Sequence, residues 1–253
     1  MPKISVVINT YNASKHLKEV LETVKDFDEV LICDMESTDN TLEIAREYGC
    51  NIVTFPKGNH TIVEPARNFA IQNAQNEWVL VVDADELVTP ELKEYLKQYV
   101  KAGGESGLYI PRKNKFLGKY PPWLTCDHQL RFFRKGNTDW PETIHSVPRI
   151  DGPTKYIRKN NKNIRLLHLA DESITQIMNK TNRYTDYDVE KKAHKHYGVF
   201  ALLYRPLWRF MRCYFIQGDF RCGGRGLIHA GMAAIYQFVF VAKTLEKKYR
   251  QKQ

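Results

Sequence analysis

The first hundred residues predict an α/β fold on a mainly parallel, Rossmann-like sheet with helices on both faces. Three observations carry this. Strand and helix patterns alternate four times before residue 100, which is the signature of βαβ units. The runs ISVVIN (Ile4–Asn9) and WVLVV (Trp78–Val82) are continuously apolar, as in strands buried on both faces. Three strands end in polar residues, at Asn9-Thr10, Asp34 and Asp83, and open α/β sheets place ligands beyond that end of the strands.

The elements follow in order. After the Ile4–Asn9 strand, Leu17, Val20, Leu21 and Val24 share one helical face, with Asn12 as the expected N-cap. Glu29–Asp34 is the second strand, Thr41–Tyr48 a short helix stopped by Gly49, and Asn51–Phe55 the third strand. Glu64–Asn73 reads as a helix leading into the Trp78–Asp83 strand. A further strand is expected at Gly107–Lys113 and another, with a basic edge, at His128–Arg134. Gly118–Trp123 is a loop rich in proline and aromatics. A C-terminal helical extension completes the chain. The expected parts are 1–105, 106–170 and 171–253, with the natural boundary near 105–125.

A chain of 253 residues buries a core large enough to need no disulfide staples. Its five cysteines have no metal-type spacing and suggest free thiols in a reducing compartment. The start MPKISVVINTYN lacks the basic region and long apolar run of a signal peptide. The net charge of +9 is unevenly spread: residues 1–100 carry 9 Lys+Arg against 17 Asp+Glu, and residues 101–253 carry 29 against 12. A balance of +17 in the second part implies an anionic partner. Nucleic acid, a membrane surface and a phosphorylated acceptor all satisfy that requirement.

The chemistry concentrates in WVLVVDADE. Strand alternation puts Asp83 and Asp85 on one side with the small Ala84 between them. Two carboxylates facing one way suit a hard divalent cation such as Mg²⁺ or Mn²⁺ shared with substrate phosphates. The alternative is that Asp85 or Glu86 caps the helix opened by Pro90. No GxGxxG or Walker pattern follows the first strand, which argues against NAD enzymes and P-loop proteins. A nucleotide here must be held by side chains and a metal.

Four segments, SVVINTYN, DMESTDNT, EPARNFAI and VVDADE, resemble the nucleotide-binding half of family 2 glycosyltransferases, in the right order and at element ends. The likeness is greatest to the bacterial lipopolysaccharide-core and lipooligosaccharide glucosyltransferase branch. It implies a GT-A fold and an inverting, metal-dependent transfer from a nucleotide-sugar, UDP-linked, to a lipopolysaccharide-type or lipid-linked glycan. By this resemblance Thr10, Tyr11 and Asn12 border the nucleoside, and Asp34 accepts from the base ring. Arg67 and Asn68 lie near the base and diphosphate; Arg67 could instead pair with Glu64 on its own helix. Asp83 takes the ribose or a metal water, and Asp85 the metal. Asp39 matches the family motif, but its position reads as a cap on the second helix.

The segment from His128 to His145 resembles the family's acceptor side, with Ser146 where a glutamate often stands. An inverting transfer needs one carboxylate to take the acceptor proton. Glu142 is the expected base and Asp127 the second choice. His145 and His168 are the histidines that could complete a metal site or orient the diphosphate, unless they are structural.

Ser173–Tyr187 predicts a polar helix. Between Arg205 and Phe215, Leu207, Phe210, Met211, Tyr214 and Phe215 share a face, with Arg205, Arg209 and Arg212 towards another. This pattern fits a membrane-surface helix or a helix docked on the catalytic part. GDFRCGGRG (Gly218–Gly226) is a loop, and Leu227–Ala242 is a 16-residue apolar stretch too short to span a bilayer, read as a buried or peripheral helix that continues into the basic tail Lys243–Lys252. The expected location is the cytoplasm, peripheral on the inner membrane face through residues 205–253. Two other classes compete with this reading. A sugar-nucleotide pyrophosphorylase would carry a glycine-rich, lysine-containing stretch where NTYNASKH stands. A polyanion-binding protein would follow from the basic half alone, yet no RNA-binding motif is visible and no nucleic acid is expected.

Overall fold

The computed structural model describes residues 3–250 except 59, 61–62, 122–125, 143–146, 159–160, 162, 171 and 193–196, and, within a strand, the side chain of Cys126. The chain divides into two compact units, residues 1–113 with 126–169, and residues 114–125 with 170–253.

The first unit is built on a nine-stranded sheet. β1 (Ile4–Thr10) pairs in parallel with β2 (Glu29–Asp34) on one side and β4 (Trp78–Asp83) on the other, and β2 with β3 (Asn51–Thr54). The sheet continues antiparallel: β7 (Cys126–Arg134) lies beside β4, and β6 (Gly107–Asn114) beside β7. β11 (Leu166–His168) pairs with β5 (Glu86–Val88) at the far end, and β10 (Thr154–Tyr156) joins β6. A separate ribbon joins β8 (Thr138–Asp139) and β9 (Arg149–Ile150). The parallel block is the part the sequence pattern describes; the strands after residue 105 extend the same sheet.

Side-chain alternation divides the core. On one face Val6, Ile8, Leu80 and Val82 pack with Leu17, Val20 and Leu21 of α1 (Ser14–Val24), Ala45 of α2 (Thr41–Glu47), and Leu92 and Leu96 of α4 (Pro90–Lys101). On the other, Val7, Leu31, Val79 and Val81 pack with Ala66, Ala70 and Ile71 of α3 (Glu64–Asn73). Covering both faces explains the continuously apolar strands.

The helix starts differ from expectation in two places. Asn12 is not a cap: it sits at φ 48°, and its side-chain oxygen accepts from Thr38 N at 2.8 Å. Asp39 serves both helices instead, accepting from Ser14 N at 3.1 Å and from Thr41 N at 3.1 Å. At α4 the cap is Thr89, whose hydroxyl accepts from Leu92 N at 3.3 Å. Asp85 and Glu86 are therefore free of the capping role; Glu86 opens β5, a three-residue strand too short to leave a periodic signal.

The second unit is helical: α5 (Ile174–Lys191), α6 (Ala201–Met211) and α7 (Gly224–Arg250). Ser173 and Gln176 form a capping box on α5. Val189, Ala201, Phe240, Val241 and Leu245 make its core. α7 runs 27 residues, through the apolar stretch and into the basic tail as expected, and by length and composition alone could cross a membrane. Its polar groups are nonetheless paired within the unit: Tyr236 donates to Asp188 at 3.0 Å and Lys243 to Asp186 at 2.6 Å. The turn before α7 is tight; a Cβ on Gly226 would lie 1.8 Å from the Asp219 carbonyl oxygen.

Candidate active site

The carboxyl ends of β1 and β4 open into a cleft of about 850 Å³ within the first unit. Thr10, Tyr11 and Asn12 form one wall, Asp83 and Asp85 the floor, and Arg67 and His168 the other side. Lys15 and His16 enter from the start of α1, and Lys57 and His60 from the loop after β3. Lys57 Nζ lies 4.6 Å from the centre of the exposed Tyr11 ring. The cleft therefore joins an aromatic wall to several cationic groups, a combination suited to a nucleoside carrying phosphates.

Asp83 and Asp85 have different surroundings. Asp83 is clamped by two arginines, Arg67 Nη2 at 2.9 Å and Arg131 Nη2 in a shorter contact. Burial alone would raise the Asp83 carboxyl, but Arg131 and Arg67 hold it well below the usual carboxylate range. Both Asp83 oxygens are thus engaged by arginine. Asp85 is more open, and its Oδ2 meets His168 Nε2 at 3.2 Å. Burial disfavours the charged imidazole, yet the Asp85 carboxylate more than reverses this, so His168 holds its proton above the ordinary 6.5. Asp85 and His168 both line the cleft, so a carboxylate oxygen and an imidazole nitrogen meet at its floor. Among the described residues no group of three or more His, Cys, Asp or Glu comes together. His145 lies outside the described residues.

Behind the floor is a charged layer that sequence reasoning missed. Glu86 is fully buried, accepts from Asp83 N at 3.1 Å and pairs with Arg112 at 3.0 Å and Arg131 at 3.7 Å. The Arg67 guanidinium lies 4.6 Å from the Trp140 ring centre and that of Arg131 5.8 Å. Both arginines keep a buried Nε and Nη1 without a hydrogen-bond acceptor, so the indole face supplies the contact that acceptors would otherwise make. The signal was the arginine spacing in β7: Arg131 points inward to Asp83, while Arg134 pairs with Glu77.

Three expected site residues make contacts within the protein. Asp34 is fully buried and does not line the cleft; its oxygens accept from Thr10 Oγ1 at 2.8 Å, Ser37 N at 2.8 Å and Ser37 Oγ at 2.6 Å. Thr10 and Asp34 are register partners on adjacent parallel strands, which is why their side chains meet. Asn68 turns away from the cleft and binds the backbone of Trp140. Asp127 Oδ2 is held by Arg112 at 2.9 Å and Gln129 at 2.6 Å. Glu142 follows Trp140 and Pro141 and is exposed.

The chain belongs to glycosyl transferase family 2, whose family model matches residues 5–150. It is a glycosyltransferase of the GT-A fold. It is 28% identical over 267 residues to an uncharacterized glycosyltransferase of Rickettsia typhi, covering 97% of this chain and 88% of the relative. It is 27% identical over 262 residues to the lipopolysaccharide core biosynthesis glycosyltransferase LpsC of Rhizobium meliloti, covering 98% and 94%. The fold is shared with S. aureus TarS 1-349, with a TM-score of 0.53 and 18% identity over 99% of this chain and 92% of that one. A TarS structure in complex with UDP gives a TM-score of 0.51 and 19% identity.

Proposed function

We propose that this enzyme transfers a sugar, with inversion, from a UDP-sugar to a lipopolysaccharide-type or lipid-linked glycan. The observation that carries the donor reading is the Asp85–His168 pair, 3.2 Å apart on the floor of a cleft that also holds Lys57, Lys15 and Arg67. The relative named for lipopolysaccharide core biosynthesis supports the acceptor class, and the TarS complex supports UDP as the nucleotide.

Asp85 and His168 would hold Mg²⁺ or Mn²⁺, which when bound offsets charge on the departing diphosphate. His168 must give up its proton to serve as a ligand. Tyr11 offers a face to the base, with Lys57 on that ring. Arg67, fixed by Asp83 and Trp140, adds positive charge beside the cleft from a set position. Glu142 takes the acceptor proton, since Asp127 is committed to Arg112. The basic second part and the exposed apolar residues of α6 support residence in the cytoplasm, in peripheral contact with the inner membrane face.

Titration calorimetry of UDP with and without Mn²⁺, on the wild type and on Asp85→Ala, tests the donor site. Micromolar binding that needs metal in the wild type, with that dependence lost in the variant, supports it. Equal UDP binding with and without metal in both proteins refutes the metal assignment.

A further inference from the structure

Along α6 and its two flanks, Phe200, Leu203, Leu207, Trp208, Met211 and Phe215 recur at helical spacing, and they are between 42% and 83% exposed. Only Ala201 of α6 is buried. The helix thus turns a continuous apolar stripe outward. Arg205, Arg209 and Arg212 form a second row beside it. Tyr204, Trp208, these three arginines and Gln237 of α7 line a groove of about 290 Å³.

The charged residues that line this groove, Arg205, Arg209 and Arg212, are of one sign. From residue 191 to residue 245 the chain carries nine Lys+Arg and a single carboxylate, Asp219. That carboxylate is buried against His229 Nδ1 at 2.7 Å. Arg209 and Arg212 form no ion pair among the described residues. Arg205 is half engaged: Nη2 donates to Gln237 Oε1 at 2.8 Å, the guanidinium lies 4.7 Å from the Tyr197 ring centre, and its buried Nε has no acceptor. A buried donor without an acceptor is costly, and three guanidinium groups around one groove match the oxygens of a phosphodiester.

We infer that the groove between α6 and α7 binds the phosphodiester headgroup of an anionic phospholipid, a step that rests on the membrane-contact reading above. A soluble phosphate or a polyanion would satisfy the arginines and leave the apolar stripe in water. A lipid satisfies both, because its acyl chains begin where its phosphate ends. α6 then lies in the plane of the interface, with Leu207, Trp208 and Met211 in the acyl boundary.

The test is co-sedimentation of the full chain with phosphatidylglycerol–phosphatidylcholine vesicles and with pure phosphatidylcholine vesicles. The variants are Arg209→Gln/Arg212→Gln, Arg209→Lys/Arg212→Lys and Leu207→Ser/Trp208→Ser, each with its helix content checked by circular dichroism. The wild type is expected to bind the anionic vesicles and release in high salt, with binding weakened about fivefold per arginine removed. The serine pair weakens binding to both compositions. The lysine pair keeps the charge but loses bidentate geometry, so it stays several-fold weaker than wild type. Full recovery with lysine overturns the headgroup groove while leaving membrane contact intact. Wild type that binds neither vesicle overturns membrane contact itself, as does retention on polyuridylate without vesicle binding.

Discussion

Asn68 holds the peptide of Trp140 from both sides: its Oδ1 accepts from Trp140 N at 2.8 Å and its Nδ2 donates to Trp140 O at 2.6 Å. This clamp, 72 residues apart in sequence, ties α3 to the segment that carries Glu142. It also sets the indole against Arg67. Asn68→Ala should cost about 1–3 kcal/mol through the stranded Trp140 groups, read as a lower urea midpoint. Asn68→Asp, which keeps the acceptor and loses the donor, should fall between.

The two aspartates of the floor should separate in their effects. Asp83→Asn removes the countercharge of Arg67 and Arg131, both buried, and should destabilise the fold by about 3–5 kcal/mol. Asp85 is more exposed and faces His168, so Asp85→Asn should leave the melting temperature nearly unchanged. It should abolish metal-dependent UDP binding. Calorimetry and thermal melts on the two variants give opposite patterns if the division of labour is right.

Asp39 gives a pH prediction. Hydrogen bonds from Ser14 and Thr41 hold its carboxyl at about 2, below the ordinary 3.8. A lowered folded-state value means the contribution is present above 3.8 and is lost as pH falls through about 2. Asp39→Asn should therefore flatten the stability profile over that acid window, measured by urea unfolding at successive pH values.

The proton acceptor can be found by comparing Glu142→Gln with Asp127→Asn. With Glu142 as base, its substitution should lower kcat about 10²–10⁴-fold with UDP affinity unchanged. Asp127→Asn should act mainly on stability, through Arg112. A kcat loss confined to Asp127→Asn would reverse the assignment.

The parallel half of the fold was legible because each strand is an apolar run and each helix a clear stripe. The cleft was legible because polar residues end the neighbouring strands β1 and β4 at one edge. What sequence could not supply was direction at close range. Asp34 stands at a strand end like Asp83, yet register turns it toward Thr10 and Ser37. His168 was one of two histidines in play, and only the antiparallel pairing of β11 with β5, His168 opposite Glu86, brings it to Asp85. Glu86 reads as a surface carboxylate beside Asp85; its complete burial depends on Arg112 and Arg131, which arrive from strands 26 and 45 residues later.

The loops after β1 and β2 are laced together before any substrate arrives. Thr10 to Asp34, Asn12 to Thr38, Asn12 N to Ser37 and Ser14 N to Asp39 are four ties across one short seam. A surface already frozen in place loses little conformational entropy when a nucleotide settles on it. Binding of a nucleotide at this seam should therefore be enthalpic and fast to equilibrate.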